Sequence, residues 1–107
     1  MARMHYEWIP MTLKLGTVLM TQGVSHRVKN DVAFNDFVMK SLFRHKTEDW
    51  GDLCEEDRRM NDEAVRLEKE GKDTDRIMSA YNSDKGRIWI ITEYDRSYTT
   101  VLLPEEY

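Results

Sequence analysis

The sequence predicts an α+β protein with an antiparallel sheet of about four strands and a two-helix hairpin on one face. Three observations support this fold class. Apolar residues recur at helical spacing in the middle of the chain, β-branched and aromatic residues cluster before and after it, and the connections are short. The predicted order is β-α-α-β-β-β. A length of 107 residues fits one domain, assigned to residues 12–107, with residues 1–11 as an N-terminal extension.

The first predicted strand covers residues 12–22. Leucine, valine and methionine side chains stand among threonines there, and Gly16 indicates a bulge or bend. Residues 1–11 show no clean periodicity, so they are assigned to the extension rather than to the sheet.

The first predicted helix covers residues 31–46, after a single helical turn at residues 26–30 that Ser25 is suited to cap. Asn30 or Asp31 is suited to cap the main run, and basic residues near its end favour the helix dipole. The side chains expected on the core face are Phe34, Phe37, Val38, Met39, Leu42 and Phe43.

The second predicted helix covers residues 47–70, with Thr47 or Asp49 as N-cap and Gly71 at the C′ position. Because few residues separate it from the first helix, the two are expected to form a hairpin. Cys54, the only cysteine, is expected to be a buried structural residue. The apolar stripe expected to face the core consists of Trp50, Leu53, Met60, Ala64 and Leu67, interrupted by Asp57.

Three strands are predicted in the last third of the chain. Residues 77–82 alternate between two faces, and Ser-Asp-Lys-Gly at 83–86 is typical of a hairpin turn. Residues 87–93 are apolar on both faces, which predicts a central strand. Residues 98–103 form the last predicted strand, which Pro104 ends.

Negative charge is concentrated in the middle of the chain. The net charge is −4, but residues 48–75 alone carry twelve acidic against five basic side chains. Residues 1–47 have a balance of +4 and residues 76–107 a balance of −1. Because phosphates would be repelled, this segment disfavours direct nucleic-acid binding and favours a basic protein partner. The alternative is an ordinary solvated helix face.

Several chemistries lack the residues that they need. His5, His26 and His45 are dispersed and have no ligand partner at metal-binding spacing. The five glycines form no phosphate-binding loop, and no G-x-S-x-G stretch occurs. We therefore expect no metal, no cofactor and no catalytic residue. No apolar run approaches the length of a membrane span, so a cytoplasmic protein is expected.

The turn before the last strand collects polar residues. Glu93, Asp95 and Arg96 are followed closely by Ser97 and two threonines, which could define a small polar site. The alternative is a structural turn, in which Asp and Ser bond to nearby amides and Arg96 pairs with Glu93 or Asp95.

The stretches GDLCEEDRRMNDEA (51–64) and RIWIITEYDRSYTTVLLPEEY (87–107), with residues 13–50, resemble a family of small bacterial mobile-element proteins. Members are sometimes labelled as a type I restriction enzyme subunit M. That label implies an adenine methyltransferase, which needs a Rossmann-like domain and a proline-containing loop for the flipped base. The prolines here stand only at positions 10 and 104. The resemblance therefore implies a mobile-element setting and no activity.

These observations predict a non-enzymatic accessory protein of a phage or conjugative element that binds another protein. In its sharpest form it is an anti-CRISPR or anti-restriction inhibitor, whose acidic helix face docks on a basic, nucleic-acid-binding groove. The expected partner-binding residues are Asp52, Glu55, Glu56, Asp62 and Glu63 on the helix, and Glu93, Asp95, Arg96 and Tyr98 at the hairpin.

Two alternatives stay open. One is a small ligand-binding or enzymatic domain with its site at residues 93–100. The other is a homodimer that serves as a structural or antitoxin-like subunit, which unpaired edge strands would allow.

Overall fold

The computed structural model describes residues 13–107, and its elements confirm the α+β class. The predicted extension at residues 1–11, and Thr12, lie outside the described residues. The strands are β1 (Thr17–Met20), β2 (Ile77–Ser83), β3 (Gly86–Thr92) and β4 (Tyr98–Leu102). The helices are α1 (Gln22–Asn30), α2 (Val32–Lys46) and α3 (Glu55–Lys69), followed by a short 3₁₀ turn at Pro104–Glu106.

The strands form one sheet in the order β1-β4-β3-β2, and this sheet is mixed rather than antiparallel. β2, β3 and β4 form the predicted meander, with Ile90 of the central strand opposite Val101. β1 instead runs parallel to β4, with Val18 beside Thr99. The antiparallel prediction was wrong for β1 because a long connection, unlike a hairpin turn, leaves the direction of the strand free.

Residues 13–107 form three helices where two were predicted. α2 confirms the helix predicted at residues 31–46, and Asp31 caps it by accepting a 3.2 Å hydrogen bond from the Phe34 N–H. α1 is a nine-residue helix rather than a single turn, and the extended backbone of Asp31 separates it from α2. α1 packs against α2, whereas α3 packs against β2. The two helices that pack against each other on the sheet are therefore α1 and α2, whereas the predicted hairpin joined the helices at residues 31–46 and 47–70.

α3 begins at Glu55 rather than at residue 47, because the residues before it pair with the outer edge of β2. The Ala80 N–H donates to the Trp50 carbonyl (3.3 Å), and the Asp52 N–H donates to the Ala80 carbonyl (2.7 Å). Gly51 between them has a φ of 73°. A Cβ there would lie 2.1 Å from the Ala80 carbonyl oxygen, so this path requires glycine.

Two clusters of buried side chains form the core. The larger joins α1 and α2 to one face of the sheet and consists of Val24, Phe34, Val38, Leu42, Tyr81, Ile88, Ile90, Val101 and Leu103. The smaller joins α3 to the start of β2 and consists of Leu13, Trp50, Ala64, Val65 and Ile77.

Four side chains that were predicted to be buried lie on the surface. Met39 and Phe43 are 54% and 67% exposed on α2, and Met60 is 60% exposed on α3. Cys54 is exposed and occupies the N-cap position of α3. On α2 the buried stripe includes the polar residues Ser41 and His45 instead of Met39 and Phe43. The prediction failed there because apolarity alone does not reveal hydrogen bonds that make polar burial favourable.

His45 is completely buried between α2 and the sheet. Its Nδ1 is hydrogen-bonded to Ser79 Oγ, and its Nε2 lies 2.8 Å from Thr92 Oγ1. Thr92 Oγ1 in turn lies 2.7 Å from Thr99 Oγ1. Burial, and secondly the positive charge of Arg96, lower the pKa of His45 to about 3. The ring is therefore neutral at pH 7 and serves as a polar link between helix and sheet.

Stability should fall as the pH is lowered from 7 to 5. In the unfolded chain His45 has its ordinary pKa of 6.5 and takes up a proton in this range, whereas the folded protein does so only near pH 3. Because this uptake favours the unfolded state, the free energy of unfolding should decrease by about 2 kcal/mol between pH 7 and pH 5. Urea denaturation at the two pH values measures the difference.

His45→Gln should remove most of this pH dependence, because glutamine does not titrate. His26→Gln, at an exposed histidine of α1, is the matched control and should retain it. The same pH dependence in His45→Gln as in the wild type would contradict the role assigned to His45.

Candidate functional site

A groove with acidic and apolar side chains runs along α3 beside the start of β2. It consists of two adjoining cavities of about 330 and 370 Å³, which share Met60 and Asp75 in their linings. We name it the α3–β2 groove. Its apolar lining is formed by Met60, Ala64, Leu67 and Met78. Its charged lining is formed by the acidic residues Glu56, Asp57, Glu63 and Asp75 and the basic residues Arg59 and Arg76.

Asn61 holds α3 against β2 and thereby places the two walls of the groove. Its buried side-chain amide donates to the Met78 carbonyl at 2.7 Å and accepts from the Met78 N–H at 3.3 Å. The amide thus takes the place of a neighbouring strand at this position. One residue further along the helix, Asp62 Oδ1 accepts a 2.9 Å hydrogen bond from the Trp50 indole N–H.

Ion pairs neutralise only part of the acidic lining. Glu63 pairs with Arg66, and this hydrogen bond lowers the pKa of the Glu63 carboxyl. Glu55, beside the groove, lies 3.4 Å from the guanidinium of Arg59. The lining carboxylates that form no ion pair with another of residues 13–107 are those of Glu56, Asp57 and Asp75.

Two of the predicted partner-binding residues, Asp52 and Asp62, stabilise the fold. Asp52 Oδ2 accepts a 3.1 Å hydrogen bond from the Asn82 N–H, which continues the pairing of the outer edge of β2. Asp62 anchors the Trp50 indole. The structure therefore divides the predicted acidic face. Glu56 and Glu63 line the groove, Glu55 lies beside it, and the two aspartates support the strand and the helix.

The hairpin after β3 is held together by Arg96, whose φ is 59° and which is only 9% exposed. Its Nε donates to Glu68 Oε1 of α3 at 3.0 Å. Its Nη1 donates to the main-chain carbonyls of Asp75 (2.9 Å) and Glu93 (3.0 Å). The predicted ion pair of Arg96 with Glu93 or Asp95 is wrong, because the buried guanidinium reaches the carboxylate of α3 instead. Through its hydrogen bond to the Asp75 carbonyl, Arg96 thus fixes the main chain at the Asp75 end of the groove.

The other predicted hairpin residues, Glu93, Asp95 and Tyr98, do not come together in one site. Asp95 closes the turn by accepting hydrogen bonds from the Ser97 Oγ–H (2.6 Å) and N–H (3.0 Å), which lower the pKa of its carboxyl. Glu93 is half-buried, and Tyr98 is 41% exposed at the start of β4. A separate open cavity of about 570 Å³ lies beside the turn and is lined by Lys72, Asp73, Thr74, Tyr94 and Asp95. Of the predicted partner-binding residues, only Asp95 lines it.

Of the eleven residues that line the groove, only Glu56 and Glu63 were predicted as functional candidates. Met60 was assigned to the core, although its position four residues after Glu56 on an acidic helix was a usable signal. Asp75, Arg76 and Met78 gave no signal, because only the packing of α3 against β2 brings them beside the helix.

Within residues 13–107, no group of three or more His, Cys, Asp or Glu side chains is placed to hold a metal ion. In the same part of the chain, none of the helices combines the length and apolarity that crossing a membrane requires. No protein-family model, curated protein or solved structure matches this chain.

Asp62→Ala and Glu56→Ala should differ in stability. The first removes the acceptor of the Trp50 indole, and an unsatisfied donor of this kind costs about 1–3 kcal/mol. The second removes an exposed carboxylate and should change the free energy of unfolding by no more than about 0.5 kcal/mol. Urea denaturation followed by circular dichroism measures both. Equal losses would contradict the division of the acidic residues into supporting and groove-lining sets.

Proposed function

We propose that this chain is a protein-binding accessory protein whose α3–β2 groove holds a lysine- or arginine-rich segment of another protein. The supporting observation is the presence, in one groove, of an apolar lining and of carboxylates without ion pairs to other residues of 13–107. A purely apolar ligand would leave these carboxylates without an ion-pair partner. A nucleic-acid backbone would be repelled by them.

Lysine and arginine side chains suit both parts of the lining. Their methylene stems pack on apolar surface while their charged ends remain near water. In the groove the stems would lie against Met60 and Met78, and the charged ends beside Glu56 and Asp75. Charge-assisted hydrogen bonds to carboxylates are stronger than neutral ones. The two methionines adapt to side chains of different shape, so several basic sequences would be accepted.

The class of partner that we propose is a protein that binds nucleic acid. Such proteins carry basic patches for phosphates, and a carboxylate-lined groove competes for the same side chains. In a mobile element, which the sequence resemblance implies, the targets would be defence proteins such as CRISPR or restriction nucleases. The chain would then inhibit them by occupying their basic surface, without catalysis.

The polar hairpin supports a ligand site less well. The Arg96 guanidinium, its strongest binding group, already bonds to Glu68 and to two main-chain carbonyls. The carboxylate of Asp95 is likewise used within its own turn.

A fluorescent nona-arginine peptide tests the groove directly. Fluorescence anisotropy at 50 and 200 mM NaCl should show binding that weakens as salt rises. The double variant Glu56→Gln/Asp75→Asn should weaken binding by about fivefold or more, since each exposed ion pair contributes up to about 1 kcal/mol. The isosteric amides keep the shape of the groove while removing its charge.

The matched control is Asp36→Asn/Glu105→Gln, which changes the net charge equally at exposed positions outside the groove. Its affinity should stay within about twofold of the wild type, because neither carboxylate lines the groove. An equal loss in both double variants would mean that net charge alone attracts the peptide, and the proposed groove would be wrong. Met60→Ser tests the apolar lining at constant charge and should also weaken binding.

A further inference from the structure

Among residues 13–107, no strand pairs with the outer edge of β1, which we call the open edge. On its inner side the Thr17 N–H donates to the Ser97 carbonyl in the turn before β4 at 3.1 Å. The Thr21 N–H donates to the Val101 carbonyl of β4, also at 3.1 Å. Because main-chain groups alternate in direction along a strand, the N–H and C=O groups of Val18 and Met20 point away from β4. These groups form no hydrogen bond with another residue of the described range.

The opposite edge of the sheet is closed by dedicated contacts. Along β2, the Asn61 amide bonds to Met78, and the segment before α3 bonds to Ala80. The Asp52 carboxylate accepts from the N–H of Asn82. Within the described residues, the middle of the β2 edge is therefore protected at each outward-facing position, whereas the β1 edge has no such contacts.

The open edge is also apolar. Val18, Leu19 and Met20 are 41%, 46% and 41% exposed. Residues 17–21 contain no charged residue and no proline, which are the usual protections of an edge strand. Tyr98, beside Thr17 on β4, adds a partly exposed aromatic side chain to this margin of the sheet.

We propose that β1 pairs with β1 of a second copy of this chain, antiparallel and centred on Leu19. The sequence Thr-Val-Leu-Met-Thr at residues 17–21 reads almost identically in both directions. In this register Val18 faces Met20 of the second copy, and each such pair exchanges both of its main-chain hydrogen bonds. Leu19 faces Leu19, and Thr17 faces Thr21.

A second copy suits this edge because every facing pair matches. Apolar residues face apolar residues and threonine faces threonine, which are favourable cross-strand pairs. A two-fold axis uses the same surface on both subunits, so the association closes as a dimer. The two sheets would become one continuous sheet. The α3–β2 groove lies at the far edge and stays accessible, so the dimer does not depend on the proposed partner.

Sedimentation velocity of the full chain at about 5 and 200 μM tests the pairing, and the average mass should approach that of a dimer as concentration rises. Leu19→Lys places like charges directly opposite each other and should raise the dissociation constant by about tenfold or more. Leu19→Glu should do the same. An equimolar mixture of the two variants should recover the dimer, because opposite charges then face each other. Misfolded variants would not recover on mixing.

Phe43→Lys is the matched control, since it makes a comparable change at an exposed apolar residue of α2. It should leave the association unchanged. A wild-type chain that remains monomeric at the higher concentration would overturn the proposal. A dimer that Phe43→Lys abolishes and Leu19→Lys leaves intact would also overturn it, because another surface would then be responsible.

Discussion

Main-chain groups at the outer edge of β2 need hydrogen-bond partners, and the residues between α2 and the middle of α3 supply them. The main chain of Met78 is hydrogen-bonded to the Asn61 amide, and that of Ala80 to the segment before α3. The Asn82 N–H donates to the Asp52 carboxylate. Buried polar groups without partners are costly, so these contacts determine where α3 lies. Because of them the helix begins only at Glu55, Asn61 faces the strand, and the side of the helix that carries Met60 forms a groove with the start of β2.

The acidic segment acquires several roles from this arrangement. Residues 48–75 have a charge balance of −7, and the sequence does not distinguish one acidic side chain from another. In the folded protein these side chains make different contacts. Asp52 and Asp62 hold main-chain and indole N–H groups, and Glu63 pairs with Arg66. The carboxylates of Glu56, Asp57 and Asp75 form no ion pair within residues 13–107 and line the groove together with the exposed Met60. A surface of this kind attracts basic side chains more specifically than net charge would, because it also packs against their methylene stems.

Two buried polar residues connect the layers of the fold. His45 joins α2 to the sheet through hydroxyl groups, and Arg96 joins the last hairpin to Glu68 of α3. Both are stable inside because nearly all of their nitrogen atoms have partners. The Nη2 atom of Arg96 is buried and has no hydrogen-bond partner among residues 13–107. Burial of the guanidinium beside His45 also helps to keep the imidazole neutral.

Local sequence patterns determined much of the fold. The capped helix α2, the β2–β3–β4 meander and the location of the acidic surface are all readable from nearby residues, because caps, turns and hydrophobic period act over a few positions. Only a small part of the candidate site could be predicted from the sequence: Glu56 and Glu63 were identified, whereas Asp75 and Met78 were not. Tertiary structure alone decided that β1 runs parallel to β4, that α3 begins at Glu55, and which acidic residues are structural. These features depend on pairing between segments far apart in the chain, and no local propensity encodes which distant edge a main-chain group will meet.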